Sequence, residues 1–385
     1  MEEGGIYMTK GEQFNYRIVE QFLEGQLSRV EAAQLLQMRE RSISRLARRV
    51  EKKGFVGAVH GNRGKRPWNK LRSGECESIA RLVRERYSDF NMTHCLEFLR
   101  DNHGVKVTYE TFRRLCHKAM LVKRRQRRRP KARHRRSRMQ SEGMLLQMDG
   151  SHHAWNGKDM WVLIGAIDDA TSDIPHAEFF KSEGTMECMS VMRKIIETKG
   201  IPLAIYVDKA AWAGGAKKKH QTSQFKRACE ELGIKVIFAN SPEAKGRIER
   251  FWGTVQDRLI PELRLKGIKS MDKANQYLQE EFLSEYWKKR NTVEPISSQT
   301  KYRPVSKKLD LSEIFCMKEI RKIKRDHTIQ WHGETYQVQS VHNRSMARHD
   351  IELRFYPDAT HKAFVMGKQV KLVPFGMKST YKLAA

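Results

Sequence analysis

"MLLQMDGSHHAW", residues 144–155, alternates apolar and polar side chains before it reaches a glycine. Alternation with period two marks a strand, and it places Leu145, Gln147 and Asp149 on one face. The sheet that this strand joins decides the fold. Downstream, "WVLIGAIDDATSDIPHAEFFKSE" (161–183) supplies two more strands, and "TMECMSVMRKIIETKG" (185–200) has a helical period. "IPLAIYVD" (201–208) reads as a buried strand, "QTSQFKRACEELG" (221–233) as a helix and "IKVIFAN" (234–240) as another strand. Three strands in succession, then helix and strand in alternation, predict a mixed α/β sheet of five strands.

Two of these strands end on carboxylates, Asp149 and Asp208. A carboxylate at a strand end suits a hard cation that prefers oxygen ligands. The next segment, "ANSPEAKGRIERFWG" (239–253), opens a long helix expected to run to about residue 265. Ser241 suits the N-cap and Pro242 the first helical position. Glu243 falls in the first turn, where the helix dipole favours negative charge. Ile248, Phe251, Val255 and Leu259 form the apolar stripe. Glu249 stands about 100° round the helix from Ile248, at the margin of that stripe. It has no capping role, so it is the candidate third carboxylate; an exposed pair with Lys245 or Arg250 is the plain alternative.

Upstream of the sheet the chain is helical and basic. "LSRVEAAQLLQMRERSISRLARRVEKKG" (27–54) carries Ser28 and Glu31 at capping-box spacing, with Val30, Ala33 and Leu36 as an apolar stripe. A break at residues 37–39 precedes a helix that turns Ile43, Leu46 and Val50 inward and ends at Gly54. Two short helices and a tight turn, the second rich in Arg41, Arg45, Arg48 and Arg49, suit a helix-turn-helix that reads DNA; a plain helical hairpin is the alternative. A basic Gly/Pro linker leads to a second helical unit, with Ile79, Leu82, Val83 and Tyr87 on one stripe and Cys95, Leu96 and Leu99 on the next. A helix capped by Thr108 carries Phe112, Leu115 and Met120, and exposes Arg113 and Arg114. Residues 123–138 then hold eleven Lys or Arg in sixteen positions, Arg124, Arg125, Arg127 and Arg128 among them. Such a run cannot bury itself and is expected to lie along phosphates.

Beyond the core, residues 272–291 read as helix, and a Pro-rich connector follows near 295–304. Four segments, "HTIQWHGETYQVQ", "DIELRFYP", "KAFVMG" and "KQVKLVPF", then predict short strands closing a small barrel. The expected division is residues 1–60 and 61–122 for the two helical units and 123–142 for a basic linker. A catalytic-type core at 143–295 and a barrel at 296–385 complete it.

Composition fits a polyanionic partner. The 385 residues carry 74 Lys and Arg against 45 Asp and Glu, a net charge of +29. That excess points to nucleic acid rather than a membrane. No apolar run approaches the roughly 18 residues of a spanning helix. The start, "MEEGGIYMTKGEQ", shows no secretory leader, and the six cysteines are scattered singly, so the cytoplasm is the expected location.

The order Asp149, Asp208, Glu249, and above all "KGRIERFWGTVQDRL" (245–259), resembles the DDE transposases of the retroviral-integrase-like superfamily, in particular the ISNCY-type transposases of bacterial insertion sequences. The resemblance covers nearly the whole chain. It implies a multidomain α+β protein: tandem N-terminal helix-turn-helix units, an RNase H-like core and a small C-terminal β-barrel. It places the catalytic and metal-binding carboxylates at Asp149, Asp208 and Glu249, holding two Mg²⁺ ions for which Mn²⁺ can substitute. It puts His153 of "DGSHHAW" near the site, with Lys245 and Arg250 beside DNA. The implied function is binding of element ends, then metal-dependent strand cleavage and strand transfer into target DNA, by at least a dimer associated with the bacterial nucleoid. Forty residues separate Asp208 from Glu249 and thirty-four separate it from Glu243, so spacing alone favours Glu243 while the G-x-x-E-R signature favours Glu249. The second aspartate is followed by "DKAAWAGG" instead of the polar stretch usual in such families, and Trp212 there could stack on a base. A DNA-binding regulator derived from a transposase, without catalysis, is the alternative; a plain RNase H-type nuclease would not need the tandem helical units.

Overall fold

The computed structural model describes residues 8–65, 67, 70–122, 136–208, 223–238, 246–339 and 345–375. The chain divides into two compact units, residues 1–79 and 80–385.

The first unit is built on α1 (Lys10–Leu23), α2 (Arg29–Leu35) and α3 (Glu40–Lys53). Both α1 and α2 start with complete capping boxes, Thr9 with Glu12 and Ser28 with Glu31. Each box satisfies two backbone donors that the first turn leaves without partners. The turn into α3 passes through Gln37 at φ 53°, and α3 stops at Gly54, φ 57°. Val19, Leu46, Ala47 and Val50 form one apolar cluster; Ile18, Ala32, Ala33 and Ile43 form another. Val30, expected in the α2 stripe, is 50% exposed, and Ala32 takes the inward place instead. The reason is length: a helix of seven residues buries one narrow edge, and two small alanines let α2 lie close to its neighbours.

The second unit begins within α4 (Ser73–Arg86) and continues through α5 (Met92–His103) and α6 (Tyr109–Lys118). Tyr87, Leu96, Leu99 and Phe112 are buried here, whereas Met120 is 90% exposed. Met120 lies past the end of α6 with left-handed backbone, so it cannot extend the apolar stripe.

The central sheet comprises β1 (Leu146–His153), β2 (Trp161–Asp168), β3 (His176–Phe180), β4 (Ala204–Val207) and β5 (Lys235–Phe238), in the order β3-β2-β1-β4-β5. β1, β2 and β3 form an antiparallel meander, and β4 and β5 run parallel to β1. This is the mixed five-stranded sheet expected of an RNase H-like core. α7 (Thr185–Lys199) and α8 (Gln224–Glu231) supply buried residues on one face, among them Val191, Ile195 and Phe225 against Leu146, Met148, Val162 and Ile164. α9 (Gly246–Leu265), α10 (Met271–Tyr277) and a π-helical segment, Leu278–Trp287, cover the other. On α9, Ile248, Phe251, Val255, Leu259 and Leu263 are fully buried. Each contributes about 1.5–3 kcal/mol of apolar burial. The β3 edge is also occupied: Asn275 accepts from Phe179 N–H (2.7 Å) and donates to the Phe179 carbonyl (3.2 Å), which closes an edge that could otherwise pair with another chain.

After α11 (Lys288–Asn291) the chain returns along the core, where Ile201 and Arg303 form an isolated antiparallel bridge. α12 (Leu311–Ile314) precedes a second sheet of β6 (Met317–Lys322), β7 (Thr328–Trp331), β8 (Glu334–Gln339), β9 (Asp350–Phe355), β10 (His361–Val365) and β11 (Lys368–Pro374). Its order is β6-β9-β10-β11-β8-β7. The two edge strands meet where Trp331 Nε1 donates to Glu319 Oε2 at 3.1 Å, so the sheet is a nearly closed barrel. Glu313 of α12 ties the core to this sheet by accepting from Arg354 (2.5 Å), Tyr356 (2.7 Å) and Lys362 (2.7 Å). From α8, the Gln224 side chain pairs with the Lys318 backbone in both directions, at 2.7 and 3.0 Å.

Candidate active site

The polar face of β1 is laced to α9 by three hydrogen bonds. Gln147 Oε1 accepts from the Ile248 backbone N–H (3.3 Å), and Asp149 Oδ2 accepts from Trp252 Nε1–H (3.3 Å). Ser151 Oγ accepts from Gln256 Nε2 (2.9 Å). The strand residues are two apart and the helix residues four apart. Two strand residues advance about 6.6 Å and four helical residues about 6.0 Å, so the two ladders keep step. The register of α9 on the sheet is therefore fixed from residue 248 to residue 256. Glu249 sits in the first turn, one residue after Ile248 and one turn before Trp252.

Asp208 follows the last residue of β4. Parallel pairing matches Leu146 with Ile205 and Gln147 with Tyr206. Continued two residues past the last pair, that register sets Asp208 opposite Asp149, which lies in the middle of β1 and not at its end as the sequence pattern suggested, because pairing with β2 runs on to His153. Both aspartates are half-buried, while Glu249 is exposed. Among the described residues no three His, Cys, Asp or Glu side chains are gathered closely enough to hold a metal ion, so Glu249 does not close on the two aspartates.

More negative charge surrounds the aspartates than the sequence pattern suggested. Burial pushes the Cys188 thiol of α7 up, and Glu183, Glu187, Asp208 and Asp149 push it further. Glu183 reaches β1 because Gly150 has no side chain: a Cβ there would stand 2.9–3.0 Å from the Glu183 carboxyl group. His152 also contacts Glu183, at 2.9 Å. His153, which the sequence placed near the site, lies on the Asp149 face about 13 Å further along the strand. Its ring packs against Trp155 (centroids 5.7 Å apart), and its buried Nδ1 has no hydrogen-bond partner.

Below the aspartates lies a buried hub. Asp169 accepts from Gln147 Nε2 (2.7 Å), Arg247 Nη1 (2.8 Å), the Met139 backbone N–H (2.9 Å) and Arg136. Burial lowers the Arg247 pKa, and the Asp169 carboxylate works against that shift. Sequence reasoning missed Asp169, Trp252, Gln147 and Glu183. "DD" at 168–169 reads as a strand ending in a turn, and only tertiary contact distinguishes the second aspartate.

Of the basic residues expected at DNA, Arg41, Arg45 and Arg48 lie exposed on α3 at helical spacing, and Arg250 is exposed beside Glu249. Arg113 and Arg114 both pair with Glu110, at 2.8 and 2.9 Å. Arg124, Arg125, Arg127, Arg128, Lys245, Glu243 and Trp212 lie outside the described residues. The far end of the expected arm departs from the sequence reading: Arg136 turns in to Asp169, and Arg138 donates to the Asp169 and Ala170 carbonyls (3.2 Å each) and Ser172 Oγ (2.8 Å). A fully buried carboxylate demands donors, and Arg136 supplies one, while Arg138 satisfies backbone carbonyls of the same turn. Among the described residues no helix is long and apolar enough to cross a membrane.

No family model matches the sequence. Two solved structures overlap it only slightly. The HTLV-2 integrase catalytic core domain, in complex with magnesium, is 20% identical at TM-score 0.29, covering 37% of this chain and 90% of that one. The simian T-cell lymphotropic virus intasome, in complex with PP2A regulatory subunit B56 gamma, is 16% identical at TM-score 0.33, covering 76% of this chain and 98% of that one. The sequence is 30% identical over 303 residues to the transposase for insertion sequence IS1202 of Streptococcus pneumoniae, 68% of this chain and 65% of that protein. A relative named as transposase y4bF, from Sinorhizobium fredii (strain NBRC 101917 / NGR234), is 31% identical over 364 residues, 92% of this chain and 79% of its own length. With that identity across nearly its whole length, the chain belongs to the transposase family.

Proposed function

We propose that this transposase is of the DDE type and cleaves and joins DNA at the ends of a mobile element, with Asp149, Asp208 and Glu249 as its catalytic carboxylates. The level placement of Asp149 and Asp208 on adjacent parallel strands, beneath the helix that carries Glu249, supports this reading most directly. The donor set fits Mg²⁺, or Mn²⁺ in its place, because carboxylate oxygens held on rigid strands are the ligands such ions prefer. When bound, two such ions would activate water or a 3′-hydroxyl and neutralise the leaving 3′-oxygen. The chain's own part is to hold the carboxylates. β1 and β4 fix the two aspartates, and Trp252 orients Asp149. The lacing of α9 then confines Glu249 to a short reach from both.

Residues 8–58 serve as a helix-turn-helix that reads the element end. α3 supports this with Arg41, Arg45 and Arg48 on one exposed face, where bidentate contacts to guanine can form. The second helical unit and residues 123–135 hold backbone phosphates, Arg113 and Arg114 contributing once Glu110 yields them. Lys245 and Arg250 flank the scissile DNA, and His153 supports the end of β1. At least two protomers act on paired ends.

A labelled element end, taken from terminal repeats flanking the gene, tests the proposal with and without Mg²⁺. Cleavage at one junction followed by joining to a second duplex, only with the metal, is expected. Binding without cleavage would favour the regulator instead, and general degradation a plain nuclease.

A further inference from the structure

The end of the basic arm, the first turn of α9 and the polar face of β1 meet at one side chain. Asp169 is fully buried. Its Oδ1 accepts from Arg247 Nη1 (2.8 Å), Gln147 Nε2 (2.7 Å) and Arg136, and its Oδ2 from the Met139 N–H (2.9 Å). The donors interlock. Arg247 Nη2 also donates to the Arg136 carbonyl (3.2 Å), and Gln147 Oε1 receives the Ile248 N–H (3.3 Å). Arg136 and Met139 belong to the chain leaving the arm, Gln147 is two residues before Asp149, and Arg247 is two residues before Glu249.

We infer that Asp169 is a positioning residue for strand cleavage and joining: it fastens residues 136–139, at the root of the basic arm, to the turn that presents Glu249, so that the placement of that carboxylate depends on this clamp while the hold on DNA does not. This rests on the proposed roles of Glu249 and the arm. Three features carry it. A buried carboxylate surrounded by two guanidiniums and an amide is rigid, because each donor removed leaves an uncompensated charge. The contacts reach the residues two before Asp149 and two before Glu249. The same arginine, Arg247, touches both the carboxylate and the arm's own backbone, so a shift of residues 136–139 displaces the helix start directly. Asp169 itself touches no reacting atom.

Two variants of the full-length protein test the inference. Asp169→Asn removes the charge, and Arg247→Lys, the milder change, keeps a cation but loses the two-pronged grip. Each is assayed for DNA affinity, for the single-turnover rate constant and amplitude of joining a pre-cut end, and for Mn²⁺ binding by electron paramagnetic resonance without DNA. Arg247→Lys is expected to lower the rate constant and weaken Mn²⁺ binding by roughly 10- to 100-fold, as for residues that orient metal ligands, with DNA affinity within about twofold. Partial unfolding would lower the reaction amplitude and leave the rate constant of the reacting molecules unchanged. An unchanged rate constant and unchanged Mn²⁺ affinity in Arg247→Lys overturn the inference even if Asp169→Asn fails to fold. Failure of the underlying proposal shows separately, as full activity of Glu249→Gln measured alongside.

Discussion

Trp252 does more than pack beside the apolar stripe of α9. Its ring is nearly buried, and its indole N–H reaches Asp149 at 3.3 Å. Removing only the N–H, in Trp252→Phe, should lower the joining rate on the order of tenfold and raise the Mg²⁺ concentration required, with DNA binding intact. Trp252→Ala should in addition destabilise the protein by about 3–5 kcal/mol, because it empties a packed site. If Trp252→Phe matches the wild type in rate and in Mg²⁺ dependence, the indole only packs. At this scale the sequence disclosed what periodicity and position can carry. Asp208 was visible as a strand end and Glu249 as a charge at a stripe's margin without a capping role, whereas Asp149, read as a strand end, lies in the middle of β1, where the glycine after it does not stop the strand. The partners were not visible: Trp252 looks like any apolar residue beside the stripe, Asp169 like any turn aspartate, and Glu183 depends on a missing side chain at Gly150.

Among the elements, the caps are the best example of local sequence fixing local structure. The Glu12 carboxyl accepts from the Thr9 backbone N–H and hydroxyl (2.9 Å each), from His60 N–H (3.3 Å) and from Arg63. These bonds, the Thr9 backbone N–H foremost, hold its pKa at about 2 against an ordinary 4.5. A depressed carboxyl stabilises the folded state fully above its unfolded pKa, and the contribution is lost as pH falls through the folded one. Protection of the α1 amides, measured by hydrogen exchange and corrected for intrinsic rates, should therefore decline between pH 4.5 and about 2 in the wild type. Glu12→Gln should show lower protection at neutral pH and a flatter decline. Parallel declines in the two proteins would mean that the contact contributes nothing. The Ser28 box, the Gly54 stop and the Thr108 cap were legible because each depends on residues within one turn. β6 was not: "MKEIRK" carries four charged residues in six and lies at an edge, so its pairing with β9 comes from tertiary context and not from its own pattern. Met120 was misplaced because its helical period ran on past the end of α6, and Val30 because so short a helix as α2 buries only the narrow edge that Ala32 and Ala33 occupy.

At the scale of the whole molecule, the excess of 29 positive charges and the carboxylates of the core have complementary tasks. In the proposed function the cations hold phosphates, and the few acids of the core act on one of them. Composition showed the first task without any structure. The mixed five-stranded sheet was legible because strands followed by alternating helix and strand admit few topologies, whereas the strand order comes from the structure. The central claim is that binding and chemistry are separate properties of this chain, the chemistry residing in Asp149, Asp208 and Glu249. Glu249→Gln keeps the shape of the side chain and removes its charge. Glu243→Gln, in the rival position suggested by spacing, costs at most about 1 kcal/mol of helix-end stabilisation. The most direct measurement compares both variants with the wild type for joining of a pre-cut element end, in Mg²⁺ and in Mn²⁺, with end binding measured in the same samples. The account predicts that Glu249→Gln binds the end normally and joins nothing in either metal, while Glu243→Gln keeps most of its activity. An active Glu249→Gln beside an inactive Glu243→Gln would contradict it.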